Sequence, residues 1–430
     1  MGRLTGLPSA LITDDSALGG LVVERSLRID DGDNAYLTRT PSSASNRRTF
    51  TISVWAKRSS LDGSAMFGAY IDNNDRATLR FNSHNIEFQT AGESVKTTGK
   101  FRDTTGWYHI VAAIDTTQGT QSNRGKIYVN GVLQTLQSNN LTQNVQTSVN
   151  NNSLQVFGTR WVSGAANGNF DGYLAEINLI DGLQLDASHF GYTDLQTGTW
   201  RPKKYTGSYG TNGVRLDFSD RSATTAVTIG KDRSGQGNDF TPNNIVVGDC
   251  VLDTPSNNFA TLKTLGTPAV TTIGEGNLYL DTNNTGSARA NRSTAFSTYF
   301  VNSGKWYCEH YHLAVHTMIG VAPPQIMVPP TSNNDRYVMV YSGGGNKYVN
   351  TNGSESNSTY AASYSVGGTT GVLIDLDQTT PVVYFSYNGQ WANGSGAWNQ
   401  SNPYTSGGAI PLNNSFFTNN VDHAISGYCG

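Results

Sequence analysis

Apolar and polar residues alternate along the chain between short clusters of Gly, Asn, Asp and Ser, and apolar residues at helical spacing are almost absent. Successive side chains leave a strand on opposite sides, so period-two alternation predicts strands with one face turned inward. The segment Thr49-Phe-Thr-Ile-Ser-Val-Trp-Ala56 is a clear case: Phe50, Ile52 and Val54 share one face, and Thr51, Ser53 and Trp55 share the other. Tyr108 to Ile114, Lys126 to Val129, Leu154 to Phe157 and Phe170 to Ile180 follow the same pattern. Later candidates are Trp306 to Leu313, Tyr337 to Tyr341, Thr370 to Leu376 and Val382 to Tyr387. Asn130-Gly131 and Asn388-Gly389 each follow a strand directly, and Asn-Gly favours the tight hairpin turn whose two central residues need positive φ. One helical turn is predicted, Leu185 to Phe190, with Asp186 as its cap. The expected fold is all-β, two tandem antiparallel β-sandwiches with an irregular connector.

A chain of 430 residues has room for two or three domains at roughly 100–200 residues each. The segment 1–20 has no core pattern and is expected to attach to a partner chain. Residues 21–195 are expected to form the first sandwich and 263–430 the second. Between them, 196–262 is rich in Gly, Pro, Asn and Asp with short apolar runs. A structureless loop of that length is unusual in a compact domain, so this connector is expected to cover a sheet edge or dock two domains.

The net charge is −3 and only 14% of residues are charged, against about 25% in ordinary domains. Asn, Ser, Thr, Gln and Tyr must therefore cover much of the surface. Nucleic acid is not expected as a partner, because phosphate binding needs clustered cations and the adjacent basic pairs, Arg47-Arg48, Lys57-Arg58 and Lys203-Lys204, are too few and too scattered for a phosphate track. No apolar run approaches ~18 residues, so no membrane insertion is expected. Met1 to Leu21 shows no signal-peptide core. Cys250, Cys308 and Cys429 form no metal or disulfide-framework spacing and are expected to be free thiols, with one pair plus one free thiol as the alternative.

Catalysis by paired carboxylates needs two of them facing one bond. Glu87, Glu93 and Glu176 are isolated in the sequence, so no catalytic residues are assigned. Asp72, Asn74 and Asp75 offer oxygen ligands suited to calcium, against the alternative of an Asx-rich loop capping its own backbone; no other cofactor is expected. His310 and His312, with His316 nearby, could share one strand face and hold a transition metal. For ligand binding the candidates are Trp161, Trp391, Trp398 and Tyr404, whose rings could stack on sugars or anchor an interface. Trp161 and Trp391 could instead be core residues at strand ends.

Four motifs in order, Thr51-Ile-Ser-Val-Trp-Ala-Lys57, Gly106-Trp-Tyr-His-Ile-Val111, Ile127-Tyr-Val-Asn-Gly-Val132 and Phe170-Asp-Gly-Tyr-Leu-Ala-Glu-Ile177, resemble the laminin-G-like, concanavalin-A-like jelly rolls. Gly304-Lys-Trp-Tyr-Cys-Glu309, Ile319-Gly-Val321, Gly371-Val-Leu-Ile-Asp-Leu-Asp377 and Val383-Tyr-Phe-Ser-Tyr-Asn-Gly389 resemble a SPRY domain, whose pattern normally runs on past a segment like Ala424-Ile-Ser-Gly427. The second sandwich is therefore expected to be truncated at the C-terminus. The connector stretches Trp200-Arg-Pro-Lys-Lys-Tyr205, Asp232-Arg-Ser-Gly-Gln-Gly-Asn-Asp-Phe240 and Asp253-Thr-Pro-Ser-Asn-Asn-Phe259 are similar to a module of virion appendage proteins in marine tailed phages. That resemblance implies a structural virion protein of tail-fibre or spike type, assembled in the host cytoplasm, contacting other virion proteins and binding host surface glycan or receptor. It implies a homo-oligomer, a trimer if a fibre. A capsid-decorating protein, a lectin-like adhesin and a polysaccharide depolymerase are the alternatives.

Overall fold

The computed structural model describes residues 19–263, 272–281, 295–314, 317–322, 337–341, 344–351, 354–412 and 426–429. Residues 1–18 of the 1–20 segment expected to attach to a partner chain, and His316, lie outside them. The chain divides into two units, Met1–Phe259 and Ala260–Gly430.

The first unit is built on two antiparallel sheets. One runs Val132–Leu133, Gly125–Val129, Tyr108–Asp115, Thr49–Arg58, Gly172–Asp181, Ser26–Ile29 and Cys250–Val251, with Val214–Leu216 also beside Gly172–Asp181. The other runs Leu136–Asn139, Glu93–Thr97, Asn85–Thr90, Arg76–Asn82, Ser64–Tyr70, Leu154–Phe157, Tyr36–Arg39 and Thr241–Asn243. Phe50, Ile52 and Val54 of the first sheet share one core with Met66, Leu79, Phe81 and Phe88 of the second. Phe50 and Phe88 meet across it, with ring centroids 5.7 Å apart. The Asn130-Gly131 turn has φ values of 48° and 82°, as the hairpin chemistry requires. The predicted helical turn is a 3₁₀ turn at Ala187–His189, and Asp186 caps it by accepting from the Ser188 amide at 2.9 Å; two further 3₁₀ turns that the sequence did not announce lie at Gln121–Asn123 and Val247–Asp249.

The polar side of Thr49–Arg58 is as buried as its apolar side: Thr51, Ser53 and Trp55 are all covered. The cover comes from the segment after the 3₁₀ turn. Phe190, Tyr205 and Tyr209 pack on Val111 and Ile180, while Trp200 packs beside Trp55 and Ala175. Trp200 also fixes the state of a buried imidazole. Its indole N–H can only donate, and it donates to His109 Nδ1 at 3.0 Å. The His109 proton therefore sits on Nε2, which donates to Ser53 Oγ at 2.9 Å. His109 stacks between Trp55 and Trp200, at 4.7 and 6.0 Å. Burial pushes its pKa down to about 3.

The stretch read as a connector, 196–262, thus supplies strands to both sheets of the first unit, through Val214–Leu216, Thr241–Asn243 and Cys250–Val251. Its end is held by a buried ion pair between Lys57 Nζ and Asp253 Oδ2, 2.8 Å apart. Lys57 donates as well to Asn258 Oδ1 and to the Phe259 carbonyl.

The second unit also has two antiparallel sheets. Ala295–Phe296, Ser426–Cys429, Met318–Ala322, Tyr337–Tyr341, Asn346–Thr351 and Ser354–Thr359 form one. Lys305–Tyr311, Thr369–Asp375, Val382–Tyr387, Gln390–Ala392 and Trp398–Gln400 form the other, with Ile410–Pro411 beside Val382–Tyr387. Ile319 and Val321 pack against Val372, Ile374, Val383 and Phe385. The Asn388-Gly389 turn has φ values of 47° and 78°. Ser426–Cys429 lies between Ala295–Phe296 and Met318–Ala322.

Candidate functional site

Side-chain parity in the Lys305–Tyr311 sheet decides which aromatics reach solvent. Val372, Ile374, Val383 and Phe385 point into the core, so Gly371, Leu373, Tyr384 and Ser386 point outward. Register places Tyr307 opposite Leu373, Leu373 opposite Tyr384, and Ser386 opposite Trp391. Tyr307 and Trp391 therefore share the outer face, at 6.2 Å between rings. Tyr384 forms the floor between Trp391 and Tyr404, 6.5 and 5.6 Å away. Asn402 positions Tyr404 by capping the short turn Pro403–Thr405, accepting from the Tyr404 amide at 3.0 Å. Tyr307 is 52% and Tyr404 46% exposed, and Trp391 is half-buried.

Charged groups rim this aromatic face. Lys305 Nζ lies 5.0 Å over the Tyr404 ring and 3.3 Å from Asp375. Burial works against the Asp375 charge, but hydrogen bonds from Gln378, the Asp377 amide and Lys305 outweigh it and hold the carboxyl below its usual range. Tyr307 donates to Glu309 Oε1 at 2.8 Å, and burial together with that carboxylate pushes its phenol up to about 12. Two of the predicted binding residues, Trp391 and Tyr404, are thus brought together. Tyr307 and Tyr384 had no signal of their own; only strand register could have placed them here. Gly371 matters to this arrangement too, because the Tyr307 ring lies where a Cβ on residue 371 would be.

Trp398 is placed differently. Ala392, its register partner, is a core residue, so Trp398 turns inward and packs against Tyr360, Tyr364 and Tyr387. Its indole donates to the Ala362 carbonyl at 2.8 Å. Trp161 belongs to the first unit, on the hairpin Arg160–Val162 and Ala165–Asn167, where it meets Tyr36 edge-on at 5.8 Å.

In the loop of the calcium candidates, Asp72 caps the backbone. Asp72 Oδ1 accepts from the Asn74 and Asp75 amides at 2.7 and 2.9 Å, which hold its carboxyl below the usual range. Asp75 pairs with Arg47 at 3.4 Å. The two histidines do not converge either. His310 Nε2 faces Cys308 Sγ at 3.7 Å, while both ring nitrogens of His312 bond Thr370 and Thr317. Burial pushes the Cys308 thiol up to about 11 and, with His312 nearby, the His310 imidazole down to about 4. Both are neutral near pH 7, the reverse of an activated thiolate pair. Among the described residues no three His, Cys, Asp or Glu side chains gather as a metal site.

The isolated carboxylates of the first unit are all committed. Glu87 accepts from Arg80 and Asn82, both at 2.9 Å. Glu93 accepts from the Thr142 amide at 2.9 Å. Glu176 sits in a bulge of Gly172–Asp181 with φ of 42° and takes both arms of Arg215, at 2.5 and 3.0 Å.

Residues 30–185 match the family model described as the concanavalin A-like lectin/glucanases superfamily. The first unit carries a concanavalin A-like domain. That match spans just over a third of the chain and includes the core strands of both its sheets. No curated protein matches. Among solved structures, mouse laminin alpha1 domains LG4-5 are similar at 11% identity, covering 95% of this chain and 83% of that one with a TM-score of 0.32. A heptameric SAP-like pentraxin from Limulus polyphemus is similar at 17% identity, covering 39% and 81%, with a TM-score of 0.31. The PSpry domain of TRIM65 is similar at 10% identity, covering 40% and 85%, with a TM-score of 0.27. The first unit is thus a lectin-like β-sandwich in which Glu87, Glu93 and Glu176 are each held by neighbouring donors.

Proposed function

We propose that this chain is a glycan-binding structural protein, a virion appendage of tail-fibre or spike type that holds a host surface saccharide on the outer aromatic face of its second unit. The observation that carries the binding half is the grouping of Tyr307, Tyr384, Trp391 and Tyr404 with Lys305, Glu309 and Asp375 at the rim. Sugar rings present C–H faces to aromatic rings and hydroxyls to charged rims, so such a face suits a saccharide better than a purely apolar partner. The virion half is supported by the sequence similarity of the 200–259 stretches to phage appendage modules.

Two measurements test the two halves separately. The full chain is titrated with neutral oligosaccharides released from candidate host surfaces. Binding that falls about tenfold or more in Trp391→Ala and Tyr307→Ala, with unchanged thermal midpoints, supports the face. Equal binding by the variants overturns it. Purified particles are separately analysed by mass spectrometry, and absence of the polypeptide overturns the virion role.

A further inference from the structure

The second sheet of the first unit has an outer face of its own. Ala77, Leu79, Phe81, Ile86, Phe88 and Val95 point into the core, so the residues between them, Arg76, Thr78, Arg80, Glu87, Gln89 and Lys96, point outward. Register sets Arg80 opposite Glu87, Glu87 opposite Lys96, and Thr78 opposite Gln89. The Trp161 hairpin crosses this face directly over Gly68: a Cβ there would lie 2.8 Å from Arg160 Cα. That crossing carries the Arg160 guanidinium into the field of Arg80, Arg76 and Glu87.

Arg80 pairs with Glu87 at 2.8 Å, and the other bonds of the three guanidiniums are modest. Arg160 donates to Asn167 Oδ1 at 2.9 and 3.3 Å, Arg80 to Glu87 and to Gln89 Oε1 at 3.2 Å, and Arg76 to the Asn73 carbonyl. A guanidinium has five N–H donors, so each keeps donors to spare. With Lys96 and the neighbouring Arg47, Asp72 and Asp75 included, five cations face three carboxylates, in a chain whose net charge is −3. Beside them opens a pocket of about 350 Å³ lined by Asn73, Asn74, Arg76, Gln89, Ala91 and Gly92. The hairpin and the loop are tied together by the Ser163 amide donating to Asn73 Oδ1 at 2.7 Å.

We propose that this face, built on Arg76, Arg80 and Arg160 with Gln89 and the Asn73–Asn74 loop, is a second binding site, for the carboxylate or sulfate of an acidic saccharide. The planar fork of arginine matches the two oxygens of such groups, and the amides of Gln89, Asn73 and Asn74 offer donors and acceptors to hydroxyls. The volume is in the range of small-ligand pockets. The site needs nothing from the aromatic face of the second unit.

The test titrates the full chain with an oligouronate, a sulfated oligosaccharide, a neutral oligosaccharide of equal length and inorganic sulfate, at low and at 0.3 M salt. The expected result is that the acidic saccharides bind, that binding weakens with salt, and that Arg160→Gln and Arg76→Gln each lower it roughly tenfold while Trp391→Ala does not. Preference between uronate and sulfated chains identifies which acid is recognised. A neutral chain bound as well as the acidic ones overturns the proposal, as does acidic binding untouched by the double Arg76, Arg160 substitution in protein of unchanged thermal midpoint. Uptake of inorganic sulfate alone, with no saccharide bound, overturns it too.

Discussion

Lys57 and Asp253 lie 196 residues apart in the chain and 2.8 Å apart in the fold, with 1% and 7% of their side chains exposed. Asp253 does more than neutralise the lysine. Its other oxygen accepts from the Trp107 indole at 3.1 Å and from the Phe259 amide at 3.2 Å. Burial lowers the Lys57 pKa, and Asp253 pulls against that shift. Asp253→Asn keeps the shape and removes the charge, leaving a buried cation short of its partner. Urea denaturation should show the first unit losing about 3 kcal/mol, and Lys57→Met placed in the same background should recover part of it.

The Trp200 and His109 pair predicts an acid response. The fold holds His109 neutral, with a pKa of about 3 against 6.5 unfolded. The unfolded chain binds the extra proton first, so this contribution is complete above pH 6.5 and is lost as pH falls towards 3. Trp200→Phe removes the donor to Nδ1 and should cost about 1–3 kcal/mol at pH 7. Nitrogen chemical shifts of His109 should report the Nε2–H tautomer in the parent protein.

Asp171 predicts the opposite slope. Burial, and then the nearby charges of Asp31, Asp30 and Asp62, push its carboxyl up to about 7. The fold favours the protonated form, so its benefit is complete below about pH 4 and is lost as pH rises through 7. Asp171→Asn should therefore raise the urea midpoint at pH 8 and change it little at pH 4. Equal shifts at both values would show that the carboxyl does not titrate in this way.

Gly371→Ala tests the aromatic face from beneath. A Cβ there would come within 2.5 Å of the Tyr307 hydroxyl, so the ring must lift from its seat beside Trp391. Saccharide binding by the second unit should fall roughly tenfold, the equivalent of one lost aromatic contact, with little change in stability. Calorimetry on the variant and on Tyr307→Ala should give similar losses.

Local chemistry made much of the fold legible. The alternation in Thr49–Arg58, both Asn-Gly turns and the Asp186 cap depend on residues within a few positions of one another, and each is where the sequence placed it. Pairing across long intervals was not legible. Nothing near Trp55 announces that Trp200 will cover it, and nothing near Glu176 announces Arg215. The same reason explains the mixed outcome at the binding residues. Trp391 and Trp398 look alike in a polar, glycine-rich stretch, yet one residue of parity across a bulge sends the first outward and the second into the core. Likewise Arg160 stands far from Arg76 and Arg80 in sequence and comes near them only because its hairpin folds over Gly68.

The strand Ser26–Ile29 sits between Gly172–Asp181 and Cys250–Val251, and this fixes an order of events during synthesis. Neither flanking strand exists when the ribosome releases Ser26, and the second arrives more than two hundred residues later. The first unit can collapse early but cannot close until Asp253 has emerged. Contacts of such separation slow folding, so the nascent chain should present an unsealed edge for most of its own translation.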